Sequence, residues 1–115
     1  MTPTASAPSL PDGVVVVVKS ACETCHAVVP VLGQLSEATT LHVYTQDDPA
    51  FPEAFAPTHD EDLAVSWFHD IETVPTVIKI AGGAEVERTV GWSRDAWAAI
   101  TGVDGLGPDL PPMRP

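Results

Sequence analysis

Basic residues are scarce in this chain: five Lys and Arg stand against 16 Asp and Glu, a formal charge of −11. That balance argues against nucleic acid, which rewards Lys and Arg clusters, and against docking on an anionic membrane surface. An acidic surface keeps a protein soluble and says little more about its work. Cysteine is nearly missing too, with Cys22 and Cys25 the whole supply. No disulfide framework is available, and a bond between residues three apart closes too small a loop to staple a fold. The pair therefore reads as chemical rather than structural. Long apolar runs are absent as well, and VVVVV at 14–18 is far too short to span a bilayer. The opening MTPTASAPSLPDG holds neither a basic nor an apolar segment. No signal peptide is expected from it, which leaves a cytoplasmic location as the default.

What is present fits one small domain, since 115 residues leave no room for a second core. Residues 1–12 are rich in Pro, Ser, Thr and Ala and are expected to form a loose arm. VVVVVK (14–19) reads as a strand buried on both faces, in the middle of a sheet. From Cys25 the pattern turns helical, with Val28, Val31, Leu32 and Leu35 at i, i+3, i+4 and i+7. Pro30 is expected to kink that helix. TLHVYT (40–45) reads as the next strand, followed by an acidic connection with one short helical turn. DLAVSWF (62–68) reads as a short helix with Leu63 and Trp67 on one face. TVIKI (76–80) and EVERTV (85–90) read as strands of a hairpin. Ser93 is placed to cap a last helix that stops at Gly102. The order is β-α-β-α-β-β-α, an α/β fold whose central mixed sheet has helices on both faces. The domain is expected over 13–102, with 103–115 a Pro- and Gly-rich tail or the start of a truncated linker.

CETCH (22–26) has more than one meaning. Cys-x-x-Cys-His is the attachment signature of c-type haem. That site needs a helical setting and a second axial ligand, whereas this motif follows a strongly β segment and the methionines are Met1 and Met113. Zinc needs four ligands in a closed site, and no second pair accompanies Cys22, Cys25 and His26. The third meaning is a dithiol for disulfide exchange. A strand feeding a helix through Cys-x-x-Cys puts the first sulfur at the helix N-terminus, where free N–H groups and the macrodipole favour the nucleophilic thiolate. Lys19 and His26 assist this and Glu23 opposes it.

At this point the chain resembles the thioredoxin family over residues 14 to about 101. Four features carry the resemblance in order: CETCHAVVP with Pro30 after the cysteines, TVPT (73–76), VIKIAGGAEV (77–86) and VGW (90–92). The resemblance implies a thioredoxin-like fold and a thiol–disulfide oxidoreductase. Cys22 would attack a protein or small-molecule disulfide and Cys25 would resolve the mixed disulfide, leaving a redox-active Cys22–Cys25 disulfide with no separate cofactor. It implies a cis bond at Val74–Pro75, a Val74 backbone that receives substrate as an added strand, and a groove flanked by Ala21, Gly91 and Trp92. A recycling reductase would complete the cycle, with the protein a monomer. The chain departs from the family at Ala21, where Trp precedes the first cysteine, and at Val16, where a buried carboxylate lies. The Glu23-Thr24 dipeptide is also unusual. Two rival readings stand beside this one: a non-catalytic protein- or peptide-binding module, and a redox domain of a larger enzyme. Trp67, Phe68, Trp92 and Trp97 are expected to pack in or around the core.

Overall fold

Five consecutive valines have no polar face to give to water, so a strand made of them must be covered on both sides. A computed structural model describes residues 9–114 and puts that strand, β1 (Gly13–Val18), in the middle. Val14 to Val18 are all buried. β1 pairs in parallel with β2 (Leu41–Thr45), Val14 opposite Leu41. On its other side it pairs antiparallel with β4 (Thr76–Ala81), Val16 opposite Val77. The edges are β3 (Thr58–His59), a short strand the sequence did not announce, and β5 (Ala84–Val90). The sheet order is β3-β2-β1-β4-β5, and it is mixed as expected.

Alternation along β1 divides the core in two. Val14, Val16 and Val18 pack with the helices α2 (Val29–Ala38) and α4 (Arg94–Thr101), while Val15 and Val17 pack with Leu10, Val65, Ile71, Ile78 and Ile80. Pro30 does more than kink the first helical stretch. Having no N–H and a ring that collides with the carbonyl four residues back, it divides the stretch at Val28 into α1 (Glu23–Ala27) and α2. α2 buries Val31, Leu32 and Leu35, the apolar stripe that its periodicity predicts. α4 is bounded as its sequence dictates. The Ser93 hydroxyl accepts from Ala96 N at 3.2 Å, and Gly102 ends the helix at φ 75°.

Two stretches differ from expectation. The helix read over 62–68 is only α3 (Ala64–Phe68), its start held by the buried Asp60 carboxylate, which accepts from Val65 N at 2.7 Å and Ser66 N at 2.9 Å. Asp62 and Leu63 have left-handed backbones (φ 58° and 57°), so Leu63 is out of helical register with Trp67. α3 turns Val65 and Ser66 inward, leaving Leu63, Phe68 and above all Trp67, 78% exposed, toward solvent. Core packing therefore fails for Trp67 and Phe68 but holds for Trp92 and Trp97, whose rings meet edge to face at 5.1 Å.

The second stretch is 103–114, whose composition suggested a tail. Leu106 is fully buried. The Arg94 guanidinium donates to the carbonyls of Leu106, Gly107 and Leu110 at 2.9, 2.8 and 2.6 Å. The Trp92 indole N–H donates to Pro111 O at 2.7 Å. β7 (Met113–Arg114) then pairs antiparallel with β6 (Trp92–Ser93). Side chains holding an irregular backbone by its carbonyls leave no periodicity to read. At the other end, residues 1–8 of the expected arm lie outside the described residues, while Leu10 is buried against the sheet. Among the described residues no helix is long and apolar enough to cross a membrane.

Candidate active site

The carboxyl ends of parallel strands are where α/β sheets present chemistry, and β1 and β2 end side by side here. Two residues beyond β2, the Asp47 carboxylate accepts from Ser20 N (2.8 Å), Ser20 Oγ (2.9 Å) and Ala21 N (3.1 Å). It thereby fixes the turn that leads from β1 into the cysteines. Desolvation pushes its acidity the other way, but these bonds and one from Asp48 N outweigh it and hold the carboxyl well below the usual carboxylate range.

Cys22 is the N-cap of α1, with an extended backbone (φ −106°, ψ 117°) and its sulfur accepting from Cys25 N at 3.1 Å. It is half-buried, whereas Cys25, inside the first turn, is fully buried. Burial, and then a hydrogen bond with the Cys22 side chain, push the Cys25 thiol far above its ordinary value. From 52 positions further along the chain, the loop before β4 arrives opposite. The Val74–Pro75 peptide is cis, and the Cys22 thiol lies 3.6 Å from Val74 O as its donor.

Gly91 is tied to this loop, its N–H donating to Pro75 O at 2.8 Å. Its φ of 73° suits glycine, and its carbonyl accepts from the Trp97 indole at 2.9 Å. Ala21 is exposed next to Cys22, whereas Trp92 is buried. The structure thus gathers Ala21, Cys22, Cys25, Val74, Pro75 and Gly91 at one end of the sheet. Below them Val16 is fully buried among apolar neighbours, with no carboxylate at that position.

His26, one residue after Cys25, is exposed but engaged. Its Nε2 lies 2.7 Å from Ser20 O, and its ring lies tilted against Phe51, the centroids 4.5 Å apart. Among the described residues no three His, Cys, Asp or Glu side chains gather to hold a metal ion. Two residues were missed by sequence reasoning. Asp47 had a readable signal, an acid just past a strand parallel to the one that carries the cysteines. Arg114, which pairs with the Glu23 carboxylate between the cysteines, had none, being 91 positions away in the chain.

No family model matches the chain, and no curated protein matches it either. Among solved structures it is similar to that described as "Structure of MTB dsbF in its mixed oxidized and reduced forms", at 21% identity and a TM-score of 0.63, over 79% of this chain and 79% of that chain. In view of this likeness to dsbF, the cytoplasmic location expected from the sequence is withdrawn. The expectation leaned on the pattern of MTPTASAPSLPDG and on the lack of a disulfide framework, yet a core of buried valines, leucines and tryptophans needs no staples in either compartment. The likeness shows the fold: this chain has a thioredoxin-like α/β fold with a Cys-x-x-Cys pair at the start of its first helix.

Proposed function

We propose that the protein is a thiol–disulfide oxidoreductase in which Cys22 is the attacking sulfur and Cys25 the resolving one. The observation that carries this reading is the asymmetry of the pair: Cys22 is half-buried at a helix start against Val74 O, and Cys25 is sealed behind it. In the exchange, the Cys22 thiolate attacks one sulfur of a substrate disulfide, forming a mixed disulfide while the other substrate sulfur leaves as a thiolate. The Cys25 thiol loses its proton, attacks Cys22 Sγ and releases the second substrate thiolate. Two electrons pass from the dithiol to the substrate, and a Cys22–Cys25 disulfide remains. The same steps run backward from a substrate dithiol, and the relative potentials set the direction.

Burial keeps the Cys25 thiol protonated before attack, which guards the mixed disulfide until a base or solvent takes that proton. Val16 lies under the site, so no carboxylate at that position takes the proton. The backbone of Val74, beside cis-Pro75, is the edge along which an extended substrate segment would lie, with Ala21 and Gly91 flanking it. The similar DsbF structure is described in mixed oxidized and reduced forms, which supports redox chemistry at the corresponding pair in this chain. A recycling thiol or disulfide partner completes turnover.

The experiment is trapping with Cys25→Ser. Stable mixed disulfides at Cys22, identified by mass spectrometry, are expected, together with Cys22-dependent reduction of insulin by the unaltered protein. Adducts confined to Cys25 in a Cys22→Ser protein would reverse the roles. A complete lack of Cys22-dependent turnover would favour the binding-module reading.

A further inference from the structure

The segment 103–114 does not end its path on the core; it continues to the dithiol. Met113 and Arg114, paired with Trp92 and Ser93, form one wall of a cavity of about 540 Å³ whose other walls include Thr73, Val90, Gly91 and Trp92. Three contacts join this cavity to the cysteines. Thr73 precedes Val74, whose carbonyl faces Cys22 Sγ at 3.6 Å. Gly91 N–H donates to Pro75 O at 2.8 Å. Arg114 pairs with Glu23, the neighbour of Cys22. An extended segment linked to Cys22 and lying along Val74 advances about 3.3 Å per residue, with alternate side chains on one side. Such a segment comes alongside the cavity within roughly two residues of its cysteine.

The walls define what fits. Val90 and Met113 are 55% and 70% exposed, so both present carbon to water. Arg114 is the one ionic residue in the lining, and Glu23 already engages its charge. The size falls in the range of pre-formed ligand sites, which are mostly apolar. The wall itself is pre-organised: Arg94 N–H donates to Pro112 O at 2.9 Å, in addition to the guanidinium and indole bonds to 106–111. Little ordering is left for an occupant to drive.

Resting on the exchange reading above, we propose that the C-terminal strap builds a substrate pocket for an uncharged apolar side chain flanking the reactive cysteine of a polypeptide disulfide. This assigns Met113 and Val90 as specificity-determining residues and makes polypeptides, rather than small disulfides, the preferred class.

The test uses the reduced full chain and a set of short peptide disulfides carrying Leu or Asn at each of the two positions on either side of the cysteine. Asn serves as the comparator because the net charge of −11 would disfavour an acid for other reasons. Every rate is divided by that for hydroxyethyl disulfide with the same protein. At one position Leu is expected to react about tenfold faster than Asn, the worth of one buried apolar side chain. Met113→Asp and, from the facing wall, Val90→Asp are each expected to cut that preference to below about threefold. Both residues are exposed, so either variant suffices if the other misfolds. Equal rates for Leu and Asn at every position overturn the pocket, as does a Leu preference that survives both substitutions. Hydroxyethyl disulfide reduction that persists in Cys22→Ser instead overturns the exchange reading on which the pocket rests.

Discussion

Asp47 is a case of one carboxylate turning two strand ends into a fixed loop. Its three bonds to Ser20 and Ala21 sit directly before the attacking sulfur. Because its folded pKa lies below the usual value, its contribution is present above the unfolded pKa of about 3.9 and is lost as pH falls through that value toward the folded one. Asp47→Asn is therefore expected to cost about 1 kcal/mol at pH 7, a modest figure because the side chain is exposed to solvent. The gap to the unaltered protein should narrow from roughly pH 5 downward. Urea titrations at pH 7 and pH 3.5 measure both; a gap independent of pH would remove the carboxylate from the explanation. The cysteines give a second residue-scale prediction. Iodoacetamide should label Cys22 in the folded dithiol at least about tenfold faster than Cys25, since one sulfur is reachable and the other is sealed and held protonated. Peptide mapping over time reads the ratio.

Among the elements, legibility followed periodicity and caps. The five valines announced a central strand because no other setting buries both of its faces. The Gly82–Gly83 turn announced the β4–β5 hairpin, and Ser93 with Gly102 bracketed α4. Ser93→Ala is expected to cost about 1 kcal/mol, and Ser93→Thr much less, because only the hydroxyl acceptor for Ala96 N is at stake. Chemical denaturation distinguishes the two. α3 was legible as a short helix but not in its start or its inward face, because Leu63 and Trp67 stand four apart in sequence and nothing there reveals that the backbone turns left-handed at Leu63. Tryptophan is a strong core signal on average, yet a five-residue helix has only one inward side. Trp67→Ala is accordingly expected to shift stability by less than about 0.5 kcal/mol, against about 3–5 kcal/mol for the fully buried Trp97. Comparable losses for the two variants, read from denaturation midpoints, would mean that Trp67 is covered.

At the scale of the whole molecule, the cysteine site is assembled from places far apart in the chain: the turn after β1, the acid after β2, the cis-proline loop before β4 and, from the far end, Arg114. The first and third were visible as motifs and could be brought together through the family resemblance. The fourth was not, because 103–114 has the composition of a linker and no repeat of apolar residues. What makes it part of the domain is a fully buried anchor, Leu106, with Val103 and Leu110 packed beside it, and a set of backbone groups held by Arg94, Trp92 and Gln34. Neither device is periodic, so neither registers in a pattern search. If the strap is integral, its anchor should count as a core residue. Leu106 is fully buried in the same cluster as Val31, Trp92 and Trp97, so Leu106→Ala is expected to cost about 2–4 kcal/mol. The same variant should loosen the hold of Arg94 on Leu106 O and Gly107 O, raising amide exchange at Met113 and Arg114. A passive tail predicts the opposite pair of results, an unchanged urea midpoint and amides at 113–114 that exchange freely in both proteins. Together the two measurements separate a strap that helps to hold the fold and wall the substrate pocket from a segment that only rests upon it.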